Sequence, residues 1–432
     1  MRPKAFILLF ALTALAGALW FLNAPKARPN IVFVMMDTLR ADHLSAHGYV
    51  RETSPNFDRL ARESLWFRRA VTTAPWTPPA VASMMTGRYA SGHGMMPPNG
   101  RNLARKVSAS LDRKNITLAE VLHSQGYQTF GISSNPWIKR EFGFDQGFEK
   151  YYARERARAG EMTRAAIKVM GERDREKPFF LYVHYLDPHD PYDPPGEFAT
   201  KFQGPVEGKD PQLMSDINLY DGEIAYLDSE LGKLFEWMKT HEVWEDTVVV
   251  LIGDHGEQFN EHGHVGHGFY LYNDEVHVPL VVRVPGAAPA VHDSVVTVAD
   301  IFATVLQAAG APIPPHDGIS LLDAQALATR PGVLSEINRK YSSQSFTTTE
   351  GLRLIADFGP SESPRPDPAL KLFDSVKDGF GRAPLADGQL TREVKLDLDA
   401  VLARIAQSKI EAEEVKVDNE TLRQLESLGY MK

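Results

Sequence analysis

The sequence predicts an α/β fold with a doubly wound, mostly parallel sheet. Its strand-like segments are short, continuous apolar runs rich in β-branched residues, which is typical of strands buried on both faces. Segments with the apolar spacing of a helix lie between these runs, and this alternation favours strands joined by crossover helices. With 43% hydrophobic and 24% charged residues among 432, the composition excludes a disordered, collagenous or coiled-coil chain.

The first 310 residues carry the clearest elements. We expect strands at residues 31–36, 129–133, 179–184, 248–252 and 280–284. We expect helices at residues 56–63, 117–125, 217–240 and 297–309. The last helix should end at Gly310, because glycine readily adopts the left-handed conformation that closes a helix.

A small C-terminal α+β subdomain is predicted beyond about residue 323, where the alternation weakens. Short strands are expected at residues 353–358 and 370–373, and helices at 397–407 and 419–428. The predicted division of the chain is a leading segment (1–28), a large α/β domain (29–325) and this subdomain (326–432).

The N-terminus predicts a signal-anchor or a signal peptide. Arg2 and Lys4 precede the uncharged, apolar residues 5–22, which is the pattern of an export signal. The run is at the lower limit for a spanning helix, which needs ~20 residues. Small residues within 14–18 would allow cleavage, whereas Trp20 favours a retained interfacial anchor. We therefore expect an extracytoplasmic protein, in the periplasm or at the cell surface, held to the membrane by this segment.

The charge balance and the lack of cysteine exclude several functions. The chain has 47 basic and 56 acidic residues, a net charge of −9, so it lacks the electrostatic footprint of a nucleic-acid-binding protein. The cysteine count is zero, which excludes disulfides, thiolate metal sites and a cysteine nucleophile.

Candidate metal and proton-transfer groups follow three of the predicted strands. Asp37 follows the first strand, Asp187 and His189 follow the third, and Asp254 and His255 follow the fourth. A single Asp at a strand end is often a helix cap, but three such ends at one edge of a parallel sheet indicate a ligand site. Carboxylate and imidazole together suit Zn or Mn, whereas an all-oxygen site would suit Ca or Mg.

Thr77 begins a small apolar helical segment that admits two interpretations. In the first, Thr77 is the N-cap, Pro78 and Pro79 form the first turn and Gly87 closes the helix. In the second, the hydroxyl lies at a helix N-terminus that favours an anion, and a metal ion activates it as a nucleophile. The segment alone leaves both open.

A glycine-rich loop after residue 256 is dense in histidine. Glu261, His262 and His264 are interpreted as solvated loop residues. His267 stays open between that interpretation and a role beside a bound anion, because the flanking glycines allow the backbone and imidazole to approach a small ligand closely.

These motifs together resemble the sulfatase-like members of the alkaline phosphatase superfamily, from about residue 29 to the end. The similarity implies the fold of that superfamily, with a catalytic domain and a C-terminal subdomain. The segments that carry the resemblance are residues 30–40, 54–60, 86–89, 187–192, 254–257, 272–280 and 425–430.

The sequence departs from the formylglycine sulfatases at the nucleophile. Thr77 stands at the position of their Cys or Ser, Pro79 is kept, and Val81 replaces their arginine. Thr38 stands where the family has a second Asp, and His267 where it has a lysine. The resemblance therefore implies an enzyme without formylglycine.

Threonine at this position resembles the phosphodiesterases and phosphoethanolamine transferases of the superfamily. The resemblance implies a divalent metal and a covalent intermediate on the threonine. The implied metal ligands are Asp37, Thr77, Asp254 and His255.

The resemblance also implies a substrate side to the site. His189 and His267 would face the oxyanion of the substrate or bind a second metal. Asn135 would donate to a non-bridging oxygen, although its place before Pro136 also fits a simple turn residue.

Three functions remain open on the sequence alone. The first is a metal-dependent hydrolase of phosphate or sulfate esters on a small molecule, lipid or glycan. The second is a cell-envelope transferase of a phospho-substituent, favoured by the predicted anchor. The third is a catalytically silent, glycan-binding relative, against which the intact metal ligands count.

Overall fold

The computed structural model describes residues 28–96 and 107–428. The predicted signal-anchor lies outside the described residues. Within the described ranges, no helix combines the length and the apolar character needed to cross a bilayer.

Sixteen strands are formed by the described chain. They are β1 (Asn30–Met36), β2 (Leu65–Val71), β3 (Val107–Ser110), β4 (Gln128–Ser133), β5 (Lys150–Ala153), β6 (Phe179–Tyr185), β7 (Thr247–Gly253), β8 (Gln258–Phe259), β9 (Val265–Gly266), β10 (His277–Arg283), β11 (Ala290–Thr297), β12 (Gly332–Asn338), β13 (Tyr341–Thr348), β14 (Leu352–Pro360), β15 (Ala369–Asp374) and β16 (Glu413–Lys416).

Eleven α-helices accompany the strands in the described residues. They are α1 (Pro55–Arg62), α2 (Thr77–Thr86), α3 (Ala90–His93), α4 (Leu118–Ser124), α5 (Ala159–Gly171), α6 (Met214–Thr240), α7 (Asn273–Val276), α8 (Asp300–Ala308), α9 (Ala324–Ala328), α10 (Gly388–Ala406) and α11 (Asn419–Ser427).

Eight strands form the central sheet in the order β11-β2-β10-β7-β1-β6-β4-β5. Strand β1 is parallel to both β6 and β7, and only β10 opposes its neighbours β2 and β7. The predicted mostly parallel α/β sheet is therefore confirmed. The direction of β10 was not predictable, because a continuous apolar run identifies a buried strand without giving its direction.

Strand β1 shows why this sheet is covered on both sides. Ile31, Phe33 and Met35 pack with α2, α4 and α8 on one face. Val32 and Val34 pack with α1, α5 and α6 on the other face. Because successive side chains alternate across a strand, every position must be apolar.

A four-stranded antiparallel sheet follows, in the order β12-β13-β14-β15. The sequence predicted β14 and β15 but missed β12 and β13. Strand β13 is rich in serine and threonine, and β12 mixes apolar residues with Ser335, Glu336 and Asn338. The chain then returns to the large α/β domain, where β16 pairs with β3 in a separate two-stranded sheet. Leu425 of α11 joins the core that contains α2 and α8.

A buried ion pair links the start of α8 to the segment that leads into the small sheet. Both oxygens of Asp300 accept from Arg330, at 2.7 and 2.6 Å. The same carboxylate accepts the backbone N–H groups of Thr297 and Ile319. The two side chains are only 0 and 4% exposed, so each charge depends on the other.

We predict that Arg330→Met lowers the free energy of unfolding by roughly 3–5 kcal/mol, because it leaves a buried carboxylate without its cation. Arg68→Met is the control, since Arg68 pairs with Asp293 at the surface, where a pair contributes about 0–1 kcal/mol. Urea unfolding of both variants measures the difference. Equal losses in the two variants would contradict the prediction.

Candidate active site and metal site

Four parallel strands bring their following residues to one edge of the central sheet. Asp37 follows β1, Asn135 follows β4, His184 lies near the end of β6, and Asp254 follows β7. These strands are adjacent in the sheet, so side chains that are distant in the sequence meet here. This edge is where parallel α/β sheets place ligands.

The carboxylate of Asp37 is fixed by one of its two oxygens. Oδ2 accepts from Nδ2 of Asn135 at 2.6 Å and from Nε2 of His184 at 2.9 Å. Oδ1 is buried and has no hydrogen-bond partner in the described structure. The two donors therefore orient Asp37 so that one oxygen stays available as a ligand.

Asp254 repeats this arrangement. Its Oδ1 accepts from the backbone N–H of Thr38 at 3.1 Å and of His255 at 2.8 Å. Its Oδ2 is buried without a hydrogen-bond partner among the described residues. Thr38 has a positive φ of 51°, an uncommon conformation for threonine, and Tyr220 donates to its carbonyl at 2.7 Å. The backbone of Thr38 is thus held in a strained conformation in which its N–H donates to Asp254.

His255 presents a lone pair to the same point. Its Nδ1 lies 2.9 Å from the carbonyl oxygen of Gly256, and a carbonyl only accepts, so Nδ1 carries the proton. Nε2 then faces Asp254 Oδ2 at 3.3 Å and Asp37 Oδ1 at 3.8 Å. A backbone hydrogen bond that fixes the tautomer in this way is typical of metal-binding histidines.

The three side chains fit a divalent cation. Ligand atoms of Asp37, Asp254 and His255 all lie within 4.8 Å of one another, and all three residues are fully buried. Burial and the charge of Asp37 raise the pKa of Asp254. Burial also acts to raise the pKa of Asp37, but the hydrogen bond from His184 lowers it overall. Two buried carboxylates at this distance need a positive charge between them.

Thr77 is the first residue of α2, and the N-cap position is Trp76. The interpretation of Thr77 as the cap is therefore wrong. Its hydroxyl lies 3.2 Å from Nε2 of His255, beside the carboxylate oxygens that lack partners. Pro78 and Pro79 follow as predicted, and because neither has an N–H, the first turn offers few amide donors to an anion.

His189 and His267 stand next to this group. The ring of His267 lies 4.4 Å from that of His255 and 5.1 Å from that of His189, measured between centroids. Burial and the charge of His189 lower the pKa of His267. The predicted substrate-side histidines are thus brought together with the candidate metal ligands.

A cavity of about 330 Å³ opens beside these histidines. Arg339 supplies a positive charge to its wall and lies over the ring of Trp76, 5.6 Å from the centroid. Glu257 is fully buried, with Oε1 3.3 Å from Nδ1 of His267. Further lining residues are Asp190, Tyr192, Val265, Gly266, Phe269 and Leu428.

Three residues of this site, His184, Glu257 and Arg339, were not predicted from the sequence. His184 ends an otherwise apolar strand, and a lone polar residue in such a strand was the available signal. Glu257 stands three residues after Asp254 in the same motif. Arg339 lies on the β12–β13 hairpin, and no local pattern connects it to Thr77.

The histidine-rich loop differs in part from its predicted solvated state. Glu261 is wrong as a solvated residue, because its carboxylate pairs with buried Arg40 at 2.7 Å and its side chain is 5% exposed. His262 stacks on Tyr272 at a centroid distance of 3.9 Å. This loop is therefore packed more closely against the rest of the protein than its glycine content indicated.

Asp187 lies apart from the metal-ligand group and forms a carboxyl pair with Glu223. Glu223 also accepts the backbone N–H of Asp193 at 2.9 Å. Burial and the charge of Asp187 raise the pKa of Glu223 to about 9. The folded protein thus holds a proton on this pair at neutral pH.

The described chain has the fold of a solved phosphonate monoester hydrolase, and its buried Asp–Asp–His group could hold a metal ion. The family model described as sulfatase matches residues 29–311, more than half of the chain. The chain belongs to the sulfatase family, and it is an ester hydrolase. The resemblance recognised from the motifs is confirmed.

The chain is similar to an arylsulfatase of Clostridium perfringens, with 23% identity over 384 residues that cover 68% of this chain and 78% of the relative. It is also similar to the multifunctional alkaline phosphatase superfamily protein PehA of Trinickia caryophylli. The identity is 26% over 410 residues, which cover 68% of this chain and 76% of that relative. A solved phosphonate monoester hydrolase of Agrobacterium radiobacter has a TM-score of 0.70 at 20% identity, covering 88% of this chain and 96% of that one. That likeness shows the fold.

The carboxyl pair predicts a pH dependence of stability. The folded state keeps a proton on Glu223 up to about pH 9, whereas the unfolded chain releases it near pH 4.5. The contribution of this pair to stability should therefore fall as pH rises through this interval. Glu223→Gln removes one titrating carboxyl, and its stability should fall less over the same range. Urea unfolding at several pH values measures this, with Glu197→Gln at the surface as the control. Parallel stability curves for wild type and Glu223→Gln would refute the assignment.

Proposed function

We propose that the protein is a divalent-metal-dependent esterase in which Thr77 attacks the substrate and forms a covalent intermediate. One observation supports this most directly. Oγ1 of Thr77 lies 3.2 Å from Nε2 of His255. The same group contains two buried carboxylate oxygens, Oδ1 of Asp37 and Oδ2 of Asp254, that lack hydrogen-bond partners in the described structure. A threonine in a structural role would need no such surroundings.

A cation held by Asp37, Asp254 and His255 would stabilise the alkoxide form of a neighbouring hydroxyl and neutralise charge on the ester. The protein residues prepare this site before any ligand arrives. Asn135 and His184 hold Asp37, the backbone of Thr38 holds Asp254, and the carbonyl of Gly256 holds His255. Such preorganisation reduces the rearrangement needed during the reaction.

The proposed reaction has two steps. Oγ1 of Thr77 bonds to the phosphorus or sulfur atom, the bond to the leaving oxygen breaks, and the threonine proton ends on the leaving alcohol. Water then bonds to the phosphorus or sulfur atom, the bond to Oγ1 of Thr77 breaks, Oγ1 takes a proton from the water, and the phosphate, phosphonate or sulfate product leaves. His189, His267 and Arg339 line the side on which the ester oxygens would lie, and their N–H groups would hold those oxygens.

We further propose that phosphorus esters are better substrates than sulfate monoesters. The chain has no cysteine and carries Thr77 where formylglycine sulfatases carry Cys or Ser, so it uses an alkoxide in place of a hydrated aldehyde. The relatives include a multifunctional alkaline phosphatase superfamily protein as well as an arylsulfatase. Arg339 and the histidines also suit the greater negative charge of a phosphate ester.

The proposed location is outside the cytoplasm, at the membrane. The basic start and the apolar residues 5–22 support an export signal. Membrane fractionation with a reporter fused after residue 28 tests this. Recovery of the reporter in the cytosol would exclude it.

We predict that Thr77→Ala lowers kcat/KM by at least about a thousandfold, because loss of a nucleophile removes the covalent route. Thr77→Ser should retain measurable activity, since it keeps the hydroxyl. The assay compares aryl phosphate, bis-aryl phosphate, aryl phosphonate and aryl sulfate with Zn, Mn, Ca or Mg. Trapping after acid quench should give a Thr77 peptide that carries the phosphoryl or sulfuryl group.

Activity of Thr77→Ala equal to that of wild type would contradict the proposed nucleophile. Transfer to an added lipid or glycan alcohol without release of the free anion would identify a transferase. Both results keep the family assignment, because they concern only the chemistry of Thr77.

We predict that Asp254→Asn loses bound metal while keeping the fold. The amide would retain the contacts of Oδ1 but not the charge that a cation requires. Metal analysis after purification and far-UV circular dichroism measure the two properties. Asp187→Asn is the matched control, because Asp187 is a buried carboxylate that follows β6 of the same sheet and bonds to Glu223 instead. Full metal occupancy in Asp254→Asn would show that the ligand set is wrong.

A further inference from the structure

A second cavity, of about 290 Å³, lies between the large sheet and the small sheet. Arg69 of β2 and Arg353 of β14 both line it, together with His277 and Asn273. None of its lining residues belongs to the cavity beside His267. It is therefore a separate feature of the molecule.

Arg353 is buried without a described carboxylate in direct contact. Its Nε donates to Thr347 Oγ1 at 2.9 Å and its Nη1 to Asn273 Oδ1 at 2.5 Å, and the residue is 3% exposed. No described carboxylate lies within 4.0 Å of it, and the charge of Asp274 acts only from farther away. Burial lowers the pKa of Arg353 to about 10, and the charge of Arg69 adds to the effect.

Arg69 faces the same cavity and is half-buried. The carboxylates of Asp293, Glu350 and Asp374 act on it electrostatically. Its Nη1 donates to the carbonyl oxygens of Thr349 and Asp293, at 3.0 and 3.1 Å. Its Nη2 is buried and has no hydrogen-bond partner among the described residues. Gly351 admits this group, because a Cβ at that position would lie 2.7 Å from Nη2.

The other fully buried arginines of the described chain are neutralised. Arg330 is paired with Asp300 through both carboxylate oxygens. Arg40 is paired with Asp42 and Glu261, at 2.8 and 2.7 Å. Arg353 is therefore the exception among the buried arginines of the described residues. The charge of Arg69 acts against it across the cavity, and an anion between the two would relieve both this repulsion and the lost hydration of Arg353.

We propose that this cavity is a second ligand site, which binds an oxyanion between Arg69 and Arg353. The planar guanidinium groups offer paired N–H donors that suit sulfate, phosphate or carboxylate oxygens. The Nδ2 of Asn273 already donates to Ser375 at 3.1 Å and keeps a second N–H for the ligand. The volume exceeds that of a bare oxyanion, so the site also has room for one on a small organic group.

The test measures anion binding to the full-length protein by isothermal titration calorimetry. The background variant His189→Ala/His267→Ala removes the imidazoles of the other cavity. Sodium sulfate, sodium phosphate, glucose 6-sulfate and glucose are titrated at constant ionic strength balanced with chloride. Arg69→Gln is compared with Arg68→Gln, which alters the neighbouring residue that pairs with Asp293 at the surface.

Sulfate or glucose 6-sulfate should bind the background variant, and Arg69→Gln should weaken binding by about tenfold or more. Arg68→Gln should bind as the background does. Arg353→Lys, which keeps the buried charge, should weaken binding without unfolding the protein. Tighter binding of glucose 6-sulfate than of sulfate would identify an anion borne by an organic group, and equal or weaker binding a free oxyanion.

Three results would overturn the proposal. The first is an absence of anion binding in the background variant. The second is equal affinity in Arg69→Gln and Arg68→Gln. The third is binding of glucose as tight as that of glucose 6-sulfate, which would show that charge plays no part. The site does not depend on the chemistry proposed for Thr77, so either proposal can fail alone.

Discussion

The candidate site depends on two carboxylates, Asp37 and Asp254, in each of which the two oxygens have different surroundings. In Asp37 and in Asp254, one oxygen accepts two hydrogen bonds and the other is buried with no partner in the described structure. Leaving a buried carboxylate oxygen without a partner is costly in free energy, and the arrangement occurs twice within 4.8 Å. The surrounding fold must supply the rigidity that keeps these groups together, and the packed central sheet does so.

Much of this could be predicted because strand ends converge. The apolar runs located β1, β4, β6, β7 and β10, and the polar residues behind them gave Asp37, Asp254 and His255. The missed strands β2 and β11 are less continuous in their apolar character, β13 is largely polar, and β12 mixes apolar with polar residues. Periodicity identifies elements that bury a simple pattern, and these strands do not.

The surroundings of Thr77, Glu261 and Arg339 could not be predicted from the sequence, for physical reasons. Thr77, Pro78 and Gly87 match a capped helix closely, and only the fold shows that the cap falls one residue earlier. Glu261 lies in a glycine-rich loop, yet a distant arginine, Arg40, draws it into the interior. Arg339 reaches the active-site cavity from the small sheet. Each case depends on a contact between segments far apart in the chain, which local patterns do not record.

The return of the chain to the large α/β domain has a practical consequence. Leu428 is 3% exposed and belongs to the main core, and it also lines the cavity beside His267. Ser427 next to it accepts from Arg156 at 2.8 Å. Removing the segment from β16 onward would open one wall of that cavity and uncover core side chains together. Affinity tags and fusion partners for this protein therefore need a spacer that leaves α11 free to dock.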